Sequence, residues 1–421
     1  MKVANGRQGG VLDCLILGGG VHGTYLSRLL IEEGGIAKDR LRVLDPHESP
    51  LARWRECTEA TGMEFLRSAA VHHLGSGAGE LHQFARRHAR EPWAKFRGPT
   101  ARPTLDLWNR HAAERIAALG LSDLRLRGVA TGLTRRGRRF VVETDRGTIA
   151  ARNVVLALGS HGPRRPVWAR SLESAGGEVR HLYDPGFRRG ADQGGSGRRA
   201  IVGAGIAGAQ AALALAREGE AGRLVLVSRM PITVFPYDVD PCWMGPKCME
   251  GFSRIPDLGA RRREIRKARK SGTMPSEIAA DLRRAIDRRE IELVRGEVSG
   301  AEMAAAAGGG AIELTVETDT GGTTLLVDRL LLATGFSPER PGGAWLDRAI
   351  ADLGLACAPC GFPIVDRRLA WREEARSRAE SPGSNLFVSG PLAELETGPV
   401  ARNVLGARLA GRQILAALRA A

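Results

Sequence analysis

The hydrophobic pattern of the chain is punctuated by short apolar runs that stop at glycine. Residues 11–17 read VLDCLIL, an unbroken apolar stretch of strand length with a single acid. Such a run suits a parallel strand covered on both faces. It is followed by GGGVHG and then by TYLSRLLIEEG, whose apolar positions recur at helical spacing. The same succession returns about half the chain later: residues 199–219 read RAIVGAGIAGAQAALALAREG, and a further strand, RLVLVSR, ends at Arg229. Two more apolar runs, NVVLALGS and DRLLLATGF, each follow an alternating stretch with a glycine-containing turn (RRFVVETDRGTIAA and AIELTVETDTGGTTLLV). Alternation around such a turn predicts a hairpin. The pattern therefore predicts an α/β chain with two Rossmann-like units, each beginning with strand, glycine turn and helix.

Both turns carry the spacing that a dinucleotide needs. Gly18, Gly20 and Gly23 form G-x-G-x-x-G, as do Gly203, Gly205 and Gly208. The first glycine permits the tight turn, the second lets backbone approach a pyrophosphate, and the third lets helix pack on strand. The helix N-terminus then offers free N–H groups to the phosphates. After the first turn, Asp45 closes the next strand, RLRVLD, 22 residues beyond Gly23, where an acid hydrogen-bonds a ribose hydroxyl. After the second turn, Ser228 and Arg229 hold the corresponding place. An acid there would repel a 2′-phosphate, whereas Arg pairs with it, so the second unit is expected to prefer NADPH. The alternative is a surface arginine and a loose choice of cofactor.

Composition narrows the class. The 421 residues are 43% hydrophobic and 26% charged, ordinary values for a globular protein of two or three domains. The net charge of +15 has two readings, a compositional bias toward Arg, Ala and Gly or attraction of anionic dinucleotides and acidic substrates. The basic residues are scattered without interleaved aromatics, which argues against nucleic acid. Six cysteines are too few for a disulfide framework. No apolar run reaches membrane-spanning length, and the polar start MKVANGRQGG is not a signal peptide, so a cytoplasmic protein is expected. The pattern specifies no oligomeric state.

The segment following the second ATG-like run carries a family resemblance. Asp328 is followed by Arg329, Leu330 and Leu331, then Leu332, Ala333, Thr334, Gly335 and Phe336, four residues, and Pro341. This resembles the signature of class B flavoprotein monooxygenases of the N-hydroxylating branch, the ornithine and lysine N-monooxygenases, which carry Tyr where Phe336 stands. Residues 180–183, Arg-His-Leu-Tyr, resemble the family's post-crossover segment, with Leu182 in place of a Ser. The Baeyer–Villiger signature is absent. The resemblance covers most of the chain and implies FAD at the first site and NADPH at the second. It further implies an NAD(P)H domain at 166–334 inserted in a discontinuous FAD domain of 1–165 and 335–421. The activity implied is hydroxylation of an amine nitrogen of a small molecule by O2 through a flavin C4a-hydroperoxide. The alternatives are an NAD(P)H-dependent reductase acting on a disulfide, quinone or protein acceptor, and a non-catalytic flavin-binding redox sensor.

Further site residues follow from the resemblance and from local composition. Gly159 and the Ala333–Thr334–Gly335 word close strands where the chain crosses between units. The stretch NLFVSGPLAELETGPVARNVLGARLAGRQIL looks like the family's closing flavin segment, which nominates Gly390, Gly398, Pro399, Arg402 and Asn403, with a helix starting near Gly398 or Pro399. Trp54 and Met63, in the segment after Asp45, are either flavin contacts or core residues. Residues 235–252, FPYDVDPCWMGPKCMEGF, crowd aromatics, acids, prolines and glycines into an expected loop. Loops on a rigid scaffold often carry specificity, so Asp238, Asp240, Trp243 and Lys247 are substrate-side candidates. Cys242 and Cys248 lack zinc spacing, and the C-x-x-C of Cys357 and Cys360 is expected to be structural. The basic run at 261–270, RRREIRKARK, is read as a solvated helix face or as a contact for an acidic substrate or carrier protein. AEMAAAAGGG at 301–310 and DQGGSGRR at 192–199 are expected to be loop and linker.

Overall fold

A computed structural model describes residues 10–189, 197–304, 311–374 and 385–420. Two sheets organise the chain, one mixed with a parallel centre and one all parallel. The first is seven-stranded. Leu12–Leu17 lies between Leu41–Asp45 and Gly147–Leu156, parallel to both. Arg125–Arg127 extends one edge, and Arg139–Thr144 with Ala130–Arg136 extends the other. Leu386–Val388 joins from the far end of the sequence, parallel to Val154–Leu156. The second sheet runs in the order Ile291–Arg295, Leu224–Ser228, Arg199–Val202, Arg329–Leu332, Val179–His181, all parallel. Cys14, Leu15, Ile16 and Leu17 in one central strand, and Ala200 and Ile201 in the other, are buried because both faces are covered; Ala200 packs toward Val298, Ile312 and Leu314, and Ile201 toward Ala209, Ala212 and Leu282.

The two hairpins expected from alternation are present but differ in how they join the sheets. Gly147–Leu156 is a single ten-residue strand. Its first half pairs antiparallel with Arg139–Thr144 and its second half parallel with Leu12–Leu17, so Ala151 faces both Phe140 and Leu12. In the second unit this work is split: Gly321–Val327 pairs with Ile312–Thr318 in a separate three-stranded sheet with Glu297–Met303, and Arg329–Leu332 then enters the parallel sheet. The expected loop at 301–310 begins as strand through Met303, and 305–310 lie outside the described residues, as do 192–196 of the expected linker.

The segment 235–252 is more ordered than a loop. Asp240 caps a short 3-10 turn, Pro241–Met244, by accepting from the Cys242 N–H, and Pro246 starts the helix Pro246–Ser253. Cys242 and Cys248 form a disulfide across these two turns, where the small cysteine count had argued only against a framework. Val239, Trp243, Phe252 and Ile265 share a buried cluster with Phe362, Leu395 and Val400, so this segment is packed onto the C-terminal part of the chain. Cys357 and Cys360 are both free thiols. The C-terminal helix is Val404–Arg419, beginning after a 3-10 turn, Gly398–Arg402, rather than at Gly398.

Candidate functional site: two glycine turns facing paired crossovers

The two turns are built alike, down to individual hydrogen bonds. Gly18 has φ +111° and Gly203 has φ +112°, the left-handed region that excludes most side chains. The Gly18 N–H donates to the Leu44 carbonyl at 2.8 Å, and the Gly203 N–H to that of Val227 at 2.9 Å. A Cβ on Gly18 would strike the carbonyl of Ala157, and one on Gly203 that of Ala333, 2.7 Å away. The words ALG and ATG are therefore the walls against which the glycine turns close. The helices Val21–Glu32 and Ile206–Leu215 have Gly20 and Gly205 at their N-caps, with no side chain bonded to the first turn. Thr104 and Asp257, by contrast, cap their own helices. The first amides of both glycine-turn helices are available to an anion.

They differ at the second glycine. No atom lies within 4 Å of a Cβ built on Gly20, whereas the backbone of Gly272 comes to 3.4 Å of one on Gly205. They differ again at the ends of the following strands. Asp45 accepts from the Gly19 N–H (2.5 Å), from the His47 N–H and ring (2.9 Å each) and from Arg125 (3.1 Å). Burial opposes its charge, but these donors outweigh burial and hold its carboxyl below the usual range. Ser228 is buried and its hydroxyl donates to the Met230 carbonyl at 2.5 Å. Arg229 is exposed and lies 3.6 Å from Glu297. Arg295 ends the neighbouring strand in register with Ser228, a second cation at this strand end that the local sequence pattern did not reveal.

Two crossing segments run antiparallel between the units, bridged at Pro163 and Phe336. Gly159 and Gly335, both at positive φ, precede the bridge in each segment. Thr334 donates its hydroxyl to the Arg164 carbonyl and lies 3.3 Å from His181 Nε2. The Tyr183 N–H donates to His181 Nδ1 at 2.9 Å, which leaves Nε2 as the protonated nitrogen and donor to Thr334. Burial pushes His181 down to about 4, so this link is neutral.

The C-terminal segment closes the site. Gly390 has φ +69°, and a Cβ there would lie 3.8 Å from the ring of His22, from the first glycine turn; His22 Nδ1 pairs with the Ser389 hydroxyl at 2.8 Å. Asn403 is the N-cap of the last helix, but its amide donates to Asp238 at 3.2 Å and leaves the helix amides uncapped. Arg402 bonds Glu394 at 3.1 Å, and Pro399 accepts from Arg269 at 3.0 Å. Gly398 makes room for Met249, whose Sδ would lie 2.8 Å from a Cβ there.

The remaining candidates separate by environment. Asp238 reaches the N-terminus of the last helix. Trp243 is buried edge-on against Phe252, and Asp240 and Lys247 lie on the exposed side of their turns. Trp54 packs against Trp108 with centroids 4.9 Å apart and donates to Asn109. Met63 lines a cleft of about 360 Å³ that also involves Ala214 and Arg217, at the C-terminal end of the second glycine-turn helix. The basic run at 261–270 is two-sided: Arg263, Arg266, Lys267 and Lys270 are exposed, whereas Arg261 donates to the Leu395 carbonyl, Arg262 pairs with buried Glu394, and Arg269 with Pro399 and Asp238. Arg67, which carried no signal in the sequence, reaches the carbonyls of Phe235, Pro236, Tyr237 and Thr273 and ties the two units together. Among the described residues there is no metal-ligand cluster and no helix long and apolar enough to cross a membrane.

Two Rossmann units, each opening on a glycine turn and joined by paired crossovers, define a two-dinucleotide-binding architecture. Residues 12–374 match the pyridine nucleotide-disulphide oxidoreductase family, and the chain belongs to it. A comparison with curated protein sequences finds no match. Among solved structures, the ornithine N-hydroxylase of Kutzneria sp. 744, solved with reduced FAD, NADP+ and L-ornithine, superposes with a TM-score of 0.74 at 17% identity, covering 98% of this chain and 99% of that one. The L-lysine 6-monooxygenase of Pseudomonas syringae gives 0.71 at 20%, covering 97% and 99%. Thioredoxin reductase of T. acidophilum gives 0.54 at 14%, covering 96% and 98%. At these identities the likeness is one of fold.

Proposed function

We propose that the chain is an FAD-dependent, NADPH-using monooxygenase that hydroxylates an amine nitrogen of a small molecule. The observation that carries this reading is the duplicated turn, with Asp45 at one ribose end and Ser228–Arg229 at the other. It is supported by full-length likeness to N-hydroxylases above that to a disulfide reductase. The open approach at Gly20 and the uncapped helix behind it fit the FAD pyrophosphate. The exposed, loosely held Arg229 fits a 2′-phosphate. Residues 1–165 and 335–421 form the FAD unit in this reading, and 166–334 the nicotinamide unit.

Bound flavin would supply hydride acceptance and oxygen activation. The chain's own work is positional. The amides of the last helix, freed because Asn403 turns to Asp238, stabilise negative charge at its N-terminus. Asp238, bonded to the Asn403 amide at that end, is the substrate-side carboxylate in this reading. The arginines at 67, 261, 262 and 269 hold the units in one arrangement and limit water entry.

The test is product analysis with NADPH, O2 and a panel of L-ornithine, L-lysine and cadaverine. Hydroxylamine formed in proportion to NADPH oxidised supports the reading. Peroxide alone with every amine, together with turnover of a disulfide or quinone acceptor, supports the reductase.

A further inference from the structure

Asp45 alone does not make the ribose end of the first site. Arg125, 80 residues later on the edge strand Arg125–Arg127, folds over it. Its Nη2 donates to Asp45 Oδ1 at 3.1 Å and to the His47 carbonyl. Its side chain is only 6% exposed, and both Nε and Nη1 are buried without a hydrogen-bond partner. Nη1 fills the space that a side chain at Gly19 would take. Beside it lies a cavity of about 10 Å³, room for one water, lined by Gly19, Thr24, Ser27, Val43, Leu121 and Arg125.

A guanidinium buried in this way acts on a ligand through the groups it holds, Asp45 and the His47 carbonyl, since holding a charge out of water is costly unless its place is fixed by such partners. The corner at 46–48 does not need the whole group, since Asp45 already takes both His47 donors and the Gly19 N–H. The corresponding end of the second unit has no buried cation of this kind; Arg229 there is 64% exposed.

We propose that Arg125 is a positioning residue for the adenosine diphosphate half of the first cofactor. It locks Asp45 toward the ribose and backs the glycine turn from within the fold, with Gly19 glycine because Arg125 stands against it. This rests on the reading of the first site as the FAD site.

The experiment measures binding to the apoprotein, with FAD followed by flavin fluorescence and ADP by calorimetry. Arg125→Gln weakens FAD and ADP by a similar factor, about tenfold or more, and Arg125→Lys recovers part of the loss. Gly19→Ala, which displaces the guanidinium but keeps its charge, weakens both ligands in the same direction and covers the case in which Arg125→Gln fails to fold. In an Asp45→Asn background the Arg125→Gln loss shrinks, because the two act as a unit. If Arg125→Gln or Gly19→Ala binds FAD and ADP within twofold of the parent while melting at lower temperature, Arg125 only supports the fold and the proposal is overturned. If the parent binds neither ligand, the FAD assignment itself fails, and the two failures are distinct.

Discussion

Tyr183 and Phe336 lie face to face, with ring centroids 4.4 Å apart and planes 4° from parallel. Tyr183 follows the strand Val179–His181, and Phe336 follows its neighbour Arg329–Leu332, at the end from which the chain crosses to the first unit. Arg53, from the first unit, donates to the Tyr183 carbonyl, so the stack is tied to both sides of the crossing. Phe336→Ala should cost roughly 1–2 kcal/mol, counting the lost stack and the area of a ring that is partly exposed. Thermal unfolding measures it, and an unchanged melting temperature would show the stack to be incidental.

Histidine burial makes a pH prediction. Burial pushes His22, His72, His73 and His181 down to about 4. Between about pH 6.5 and pH 4 the unfolded chain binds these protons and the folded chain does not. Stability is therefore full above the unfolded value and falls as pH drops through that window. Each group contributes a slope on the order of 1.4 kcal/mol per pH unit there. Urea midpoints should fall steeply from pH 6.5 to pH 4.5. A flat profile would mean that these rings are protonated in the folded state.

The disulfide between Cys242 and Cys248 staples the segment that delivers Asp238. A Cys242→Ser, Cys248→Ser double variant should lose about 2 kcal/mol on loop-closure grounds. Hydrogen exchange should rise in residues 238–253, while the sheets keep their protection. Equal protection with and without the bond would show that the packing of Trp243 and Phe252 suffices.

The parts legible in the sequence were those encoded within one strand–turn–helix unit. Glycine spacing, Asp45 and the alternating hairpins each need only neighbours a few residues away, or one strand further on. The Asp45–Arg125 pair, the Arg67 tether and the inward arginines at 261, 262 and 269 join residues from 80 to more than 160 positions apart, and no local period marks them. The run at 261–270 keeps the expected solvated face at Arg263, Arg266 and Lys267, but Arg261, Arg262 and Arg269 turn inward. Here a second segment, 394–399, supplies the carbonyls and carboxylates that make burial tolerable. Trp243, expected in a loop, joins a core because a stapled turn packs it against Phe252. The helix start moved to Val404 because Gly398 at φ +75° and Pro399 form a 3-10 turn first.

In the proposed reading, Arg229 sets cofactor choice at the second site. Arg229→Ala should weaken NADPH by about 1.5–3 kcal/mol and leave NADH nearly unaffected, measured as KM for each in flavin reduction. Because Glu297 lies 3.6 Å from this arginine, Glu297→Gln should tighten NADPH slightly. Equal losses for both nucleotides on removing Arg229 would assign the 2′-phosphate elsewhere, with Arg295 the next residue to test.

In the proposed function NADPH-reduced flavin is committed to oxygenation, and stopped-flow mixing with O2 checks this. Protein reduced by one equivalent of NADPH should pass through a transient absorbing between the reduced and oxidised flavin bands. That transient should live far longer with NADP bound than after dithionite reduction, because the bound nucleotide helps to exclude water. Direct return to oxidised flavin at every pH, with NADP bound and no transient, would contradict the account and favour the reductase.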